Sequence, residues 1–201
     1  MQAESESPRL LVKAGVSEEE FYALGEDSDW EFLDGRLVMS PASNRHEDLF
    51  RFLLILWGVF LDVRGGGVVR GSRYPMRLDE KWSPEPDLFV VREERRHLLK
   101  PQRLEGPADL VIEIASEGDP RFELREKLPR YEQAEIPEIW LLNPFERSVL
   151  VKVKMPEGYE TKTISSGRLE SRVLPGFWIQ VEWLWQDELP STFSCLQEIF
   201  G

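Results

Sequence analysis

The chain has 201 residues, 41% of them hydrophobic, with a formal charge of −12 and a single cysteine. That composition supplies enough apolar surface for one sizeable core. It argues against a strongly basic nucleic-acid coat, an internal disulfide framework and a cysteine-rich zinc site.

Residues 1–9 are acidic and polar and are expected to be a disordered tail, with 10–201 as a single domain. No secretory apolar stretch opens the chain, and its most apolar run, Leu53 to Leu61, is far short of the roughly 20 residues a membrane span needs. A cytoplasmic protein with no membrane partner is expected.

Ser17-Glu18-Glu19-Glu20 is a capping-box pattern and predicts a short helix ahead of Phe21 and Tyr22. In Trp30 to Met39, Asp34-Gly35 stands between two apolar segments and predicts a tight hairpin. Residues 44–62 predict a long helix, apolar on nearly every side and hence packed between layers. Gly65-Gly66-Gly67 breaks the chain, and Val68 to Leu78 predicts a strand with arginines at 70, 73 and 77.

Residues 87–92 and 109–115 are almost continuously apolar, as strands covered on both faces should be. A helix over 121–134 is expected to start late or kink at Pro129. Residues 139–142 predict another buried strand, and 148–153 with 159–164 a C-terminal hairpin through Pro156-Glu157-Gly158. The tail from Val173 carries Phe177, Trp178, Trp183 and Trp185, either as apolar surface for a homodimer or as material completing the core.

Two acidic residues interrupt this apolar pattern. Asp87 precedes Leu88-Phe89-Val90-Val91, and Glu113 lies between Leu110-Val111-Ile112 and Ile114. An unpaired carboxylate in apolar surroundings costs several kcal/mol or becomes protonated. Two of them on adjacent strands repel unless a cation lies between them, and a hard divalent ion such as Mg²⁺ prefers oxygen ligands. Read singly, Asp87 could be a turn residue after proline and Glu113 a buried carboxylate paired with an arginine. Lys127 could be a solvated helix residue. Glu47 suits the first turn of its helix by charge, beside His46. The basic stretch Arg92, Arg95, Arg96, His97, Lys100 and Arg103 could touch phosphate or be a solvated loop.

The order of these segments carries a resemblance. Trp30-Glu31-Phe32-Leu33-Asp34-Gly35-Arg36-Leu37-Val38-Met39-Ser40-Pro41 is followed by His46, Pro86-Asp87, Asp109 to Ser116, Lys127, Tyr131 and Ile136 to Pro144. From about residue 15 to 185 the chain resembles the Uma-type restriction-endonuclease-like family of the PD-(D/E)XK nuclease superfamily. The resemblance implies an α/β fold: a restriction-endonuclease-like mixed central sheet flanked by helices, with a divalent-metal site at one sheet end. It implies Asp87 and Glu113 as metal ligands and catalytic residues. It also implies Lys127 as the catalytic lysine, moved to the next helix because Ala115 occupies the superfamily's usual lysine position. Glu123 stands where the family pattern has aspartate, Asn143 reads as a turn residue, and Tyr131 is expected to pack against or orient Lys127.

The implied activity is Mg²⁺-dependent hydrolysis of DNA phosphodiesters, with Mn²⁺ as a substitute, by a homodimer. Ala115, Glu123 and the acidic charge favour the alternative, a catalytically silent nuclease-fold binding or assembly module.

Overall fold

The computed structural model describes residues 10–25, 28–39, 43–71, 73–116 and 121–201. The N-terminal tail expected over residues 1–9, Ser40-Pro41 of the family pattern and the side chain of Glu123 lie outside the described residues.

The N-terminal part forms a four-stranded sheet. β1 (Leu11–Ala14) pairs with β3 (Arg36–Met39), which pairs with β2 (Glu31–Leu33), and β2 pairs with β6 (Trp82–Ser83). Between β1 and β2, α1 (Glu18–Tyr22) begins at the expected capping box: Ser17 Oγ accepts from Glu20 N, and Glu20 returns to Ser17 N. The β2–β3 turn has positive φ at Asp34 (53°) and Gly35 (71°), the requirement that made this pair a hairpin signal.

The main sheet has six strands in the order β12-β11-β10-β9-β7-β4. These are β4 (Gly67–Gly71), β7 (Leu88–Arg92), β9 (Leu110–Ile114), β10 (Glu138–Asn143), β11 (Ser148–Met155) and β12 (Gly158–Ile164). Only β9 and β10 run parallel; the other neighbours are antiparallel. The three continuous apolar strands are thus adjacent at its centre, and β11–β12 is the expected C-terminal hairpin.

Strand alternation sorts the central side chains to two faces. Leu110, Ile112 and Ile114 pack with α2 (Asn44–Arg64), while Val111 packs with α3 (Leu128–Gln133). On α2, Leu49, Phe52, Leu53, Leu56, Trp57, Phe60 and Leu61 are buried, but Ile55 and Val63 are exposed. The helix therefore lies on one face of the sheet with one apolar stripe inward, not between two layers as its composition predicts. Each such buried side chain contributes about 1.5–3 kcal/mol. Their sum outweighs the roughly 1 kcal/mol of the Ser43 cap, whose Oγ accepts from His46 N.

Of two further expectations, one changes and one holds. The strand expected over Val68 to Leu78 is two pieces, β4 and the short β5 (Met76–Arg77), separated by Arg73 with φ of 66°. β5 pairs with β8 (Leu104–Glu105), away from the main sheet. The helix expected over 121–134 opens as a wide π turn over Glu123–Lys127 and becomes α-helical at Leu128, with Pro129 in its first turn, where proline is tolerated.

The aromatic tail folds inward. β13 (Arg168–Glu170) pairs with β14 (Trp178–Gln180), and α4 (Thr192–Phe200) follows. Phe177 stacks on Trp57 with centroids 3.7 Å apart, and Val181, Trp183 and Leu184 are buried. These residues complete the core, so they do not provide the apolar surface that suggested a dimer.

Candidate active site

β7 and β9 are antiparallel, with Leu88 facing Ile112. One step further along that register, Asp87 comes opposite Glu113. Residues so opposed lie about 4.5–5.5 Å apart at Cα. The junction is closed by Ile114 N, which donates to Asp87 Oδ2 at 2.6 Å.

Glu113 points by alternation to the α3 face. It is only 2% exposed. Lys127 Nζ donates to its two oxygens at 3.1 and 3.3 Å, and the Tyr131 hydroxyl donates to Oε1 at 2.5 Å. The π turn brings buried Lys127 onto this face. Tyr131, one α turn on, shares it, as side chains four apart do. The sequence expectation is that Tyr131 packs against or orients Lys127; its hydroxyl binds Glu113, the group that Lys127 also meets. Burial, then the charge of Glu113, raises the Tyr131 hydroxyl pKa well above its ordinary value, so it stays a donor. The superfamily's usual lysine position, Ala115, is buried just past the end of β9, with its N–H donating to Leu142 O at 2.8 Å.

Three groups near this trio carry no functional role in the sequence reading. The first is Glu31 on β2: its Oε2 lies 2.7 Å from Lys127 Nζ and accepts from Glu85 N at 3.0 Å. The second is His46 in the first turn of α2, with Nε2 3.0 Å from Asp87 Oδ1. Burial opposes the imidazolium, but the hydrogen bond and charge of Asp87, aided by Glu47, push its pKa up to about 9. The third is Glu85, two residues before Asp87. Burial, reinforced by the charge of Glu31 against the opposing charge of Lys127, pushes its carboxyl up to about 8. Signals for two of them exist: Glu85 is flanked by prolines at an alternate position to Asp87, and Glu31 interrupts a hairpin strand. His46 has only its place at a helix start and in the order of segments that carries the family resemblance.

The remaining candidates separate from the trio. Glu47 is mostly exposed, with Oε1 3.5 Å from His46 Nδ1. Asn143 ends β10 and caps the turn that follows, its Oδ1 accepting from the N–H groups of Phe145 and Glu146. The basic stretch is largely occupied within the protein. Arg92 and Arg95 bind buried Asp109, Arg96 binds Glu93, Arg103 binds Glu105, and Lys100 donates to His97 O. Arg92, Arg95 and Arg103 anchor the loop in this way, while the Arg96–Glu93 pair and Lys100 lie exposed on its surface.

Asp87, Glu113 and Glu31 bring three carboxyl groups to Lys127 and His46. The oxygen donors fit a hard divalent ion that keeps much of its water, since Mg²⁺ is commonly held by one or two carboxylates. Among the described residues, no group of three or more His, Cys, Asp and Glu side chains stands ready to hold a metal. That is a poor match to a closed structural zinc site. Asp87 and Glu113 are the residues that could hold such an ion.

A family model named Uma2 and described as "Putative restriction endonuclease" matches residues 18–182. The chain belongs to the Uma2 family. Its fold is similar to a crystal structure titled as a "putative nuclease belonging to DUF820" from Anabaena variabilis ATCC 29413. The TM-score is 0.73 at 16% identity, covering 85% of this chain and 97% of that one. No curated protein matches the chain. The Uma2 match covers the main sheet and all of the smaller sheet except β1, so Glu31 and the Asp87–Glu113 pair lie within it. Among the described residues, no helix is long and apolar enough to cross a membrane.

Proposed function

We propose that this Uma2 protein is a divalent-metal-dependent endonuclease that hydrolyses DNA phosphodiester bonds, with Mg²⁺ as its ion and Mn²⁺ as a substitute. The observation that carries the reading is the Asp87–Glu113 opposition on adjacent strands, with Lys127 against Glu113. In this reading the ion, when bound, polarises a phosphate oxygen and acidifies a water. The chain's own groups do the rest. Asp87 and Glu113 supply ligand oxygens, and His46 and Tyr131 fix their orientation. Lys127, held between Glu31 and Glu113, places an ammonium where negative charge develops on the phosphate. Cutting both strands of a duplex favours two such sites related by a two-fold axis. The homodimer rests on that chemistry alone, since the aromatic tail is internal.

One observation favours the alternative, a silent binding or assembly module: both oxygens of Glu113 already accept from Lys127. The test is cleavage of supercoiled, linear duplex and single-stranded DNA in Mg²⁺, Mn²⁺ and EDTA, with Asp87→Ala as control. Metal-dependent cleavage that Asp87→Ala abolishes is expected. DNA binding without cleavage in either metal would favour the module.

A further inference from the structure

Beside the carboxylate network lies a cavity of about 260 Å³. Phe21, Tyr22 and Tyr74 form its aromatic walls, and Arg73, Glu85 and Gln102 bring polar groups to it. Each ring is pinned from outside. Phe21 stacks on Phe32 with centroids 5.5 Å apart. The Tyr22 hydroxyl meets Ser83 Oγ at 2.9 Å, and the Arg103 guanidinium lies 4.5 Å from its ring centroid. The Tyr74 hydroxyl donates to the carbonyl of Arg103 at 2.9 Å and also contacts that of Lys100. A molecule entering this space meets walls that are already ordered, which lowers the entropic cost of binding.

The size and lining select a ligand class. Pockets for drug-sized ligands run from about 300 to 1,000 Å³, so this one suits a single planar ring system. The half-buried rings of Tyr22 and Tyr74 accept its faces over a floor formed by buried Phe21, and the Glu85 carboxyl meets N–H groups on its edge. The cavity is also wired to the site. Glu85 N donates to Glu31 Oε2, the oxygen that lies 2.7 Å from Lys127 Nζ. Glu85 is separated from Asp87 by about 7 Å of extended chain, at about 3.4 Å per residue.

Charge points the same way. At −12 the chain as a whole repels a polyanion, and three arginines of its densest basic stretch, Arg92, Arg95 and Arg103, are engaged in pairs within the chain. Affinity for nucleic acid must draw on contacts other than phosphate neutralisation, and base–aromatic contact is the sequence-tolerant one.

We propose that this cavity seats one nucleobase of the substrate strand, swung out of its stack, beside the phosphate at Asp87 and Glu113. Proteins that take a base from the stack read it by edge hydrogen bonds and by stacking between aromatic or apolar side chains. The inference rests on the nuclease reading for its substrate, but its test does not require cleavage.

The experiment is fluorescence anisotropy of labelled single-stranded 12-mers, in EDTA and again in Mg²⁺: homopolymers of A, C and T against an oligomer of twelve abasic sites. The base-bearing strands are expected to bind at least tenfold more tightly than the abasic one. Gln102→Trp, placed at an exposed position on the rim, fills the mouth. It is expected to remove most of that difference while leaving abasic binding and the melting temperature unchanged. Equal affinity for base-bearing and abasic strands, no binding of either, or discrimination that survives Gln102→Trp would overturn the proposal. Plasmid cleavage measured in parallel separates the two readings. Cleavage without base discrimination refutes the cavity alone, and base-dependent binding without cleavage refutes the nuclease alone.

Discussion

At one end of the central sheet Asp109 and Glu138 lie buried; at the other end lie Asp87 and Glu113. Asp109 and Glu113 even share one strand segment, Asp109-Leu110-Val111-Ile112-Glu113. Asp109 is held by Arg92 N, Arg92 Nε and Arg95 Nη1 at 2.9, 3.2 and 3.0 Å. Glu138 accepts from Trp140 Nε1 and Ser171 Oγ, both at 2.8 Å, and from the N–H groups of Arg172 and Val173, both at 2.9 Å. These two clamp loops to the sheet: the 92–107 segment and the turn before β14. At the other end the donors include a buried lysine, a tyrosine, a histidine and the Ile114 N–H. Burial of an acid is common to both ends. A lysine shared between Glu31 and Glu113 distinguishes the second.

The largest expected effect breaks the comparison if it fails. Asp87→Asn or Glu113→Gln should lower metal-dependent DNA cleavage by about a thousandfold or more, on the scale of removing a transition-state contact. Glu138→Gln should leave cleavage within a fewfold when assayed below its melting temperature. Glu31→Gln should fall between, at about tenfold, expressed in kcat more than KM because it positions Lys127. Equal losses at Glu113 and Glu138 would mean that both ends serve only the fold.

The second effect is on stability against pH, without metal. The folded-state pKa of His46, about 9, exceeds the ordinary 6.5. Its contribution is complete below about 6.5 and is lost as pH rises through 9. That of Glu85, about 8, exceeds the ordinary 4.5. It too adds stability at low pH, complete below 4.5 and lost as pH rises through 8. In both cases the native state binds more protons than the unfolded chain, so stability falls with rising pH. At about 1.4 kcal/mol per unit the two together amount to several kcal/mol. Urea midpoints from pH 5 to 9.5 should decline, and His46→Asn with Glu85→Gln should flatten the upper half. A rising wild-type curve would contradict the proton balance assigned to this end.

How much of this contrast the sequence held differs by level. Continuous apolar strands, the Asp34-Gly35 turn and the Ser17 capping box depend on neighbours in the chain, and they are legible there. Asp87 and Glu113 stand out because they interrupt apolar runs. Nothing local tells Glu113 from Asp109, since their partners come from Lys127 and Arg95 on other elements. Lys127 emerged from the family resemblance, not from spacing. Glu31 reaches the site only because the smaller sheet packs against the larger. The tail tryptophans were ambiguous for a similar reason: composition shows aromatic area, and only packing decides whether it faces inward.

The third effect sharpens the structural half. In Glu138→Gln one acceptor oxygen remains, and an NH₂ replaces the other. The new group faces either the Trp140 indole N–H or the three donors from Ser171, Arg172 and Val173. At about 1–3 kcal/mol for a buried group left unsatisfied, the loss should be about 3 kcal/mol. It should show as a lower urea midpoint, with early hydrogen exchange at residues 171–173. A loss under about 1 kcal/mol would remove Glu138 as the anchor of that turn.

The smallest effect tests the arginines at the same end. Arg95 is partly exposed, donates to Asp109 Oδ1 at 3.0 Å and to Pro107 O at 2.6 Å, and belongs to the stretch that could have met phosphate. Arg95→Met keeps the aliphatic stem and removes both donations, while Arg92 still holds Asp109. The expected cost is therefore about 1 kcal/mol, near the net worth of a hydrogen bond, and less than full exposure of a buried charge. DNA affinity measured from 50 to 200 mM salt should stay within twofold of wild type, with the same slope. A phosphate contact behaves otherwise: losing one weakens binding across sequences and flattens the slope of log K against log salt by about one. A flattened slope with unchanged stability would move Arg95 from the structural end to the DNA surface, and the division between the two ends of the sheet would no longer hold.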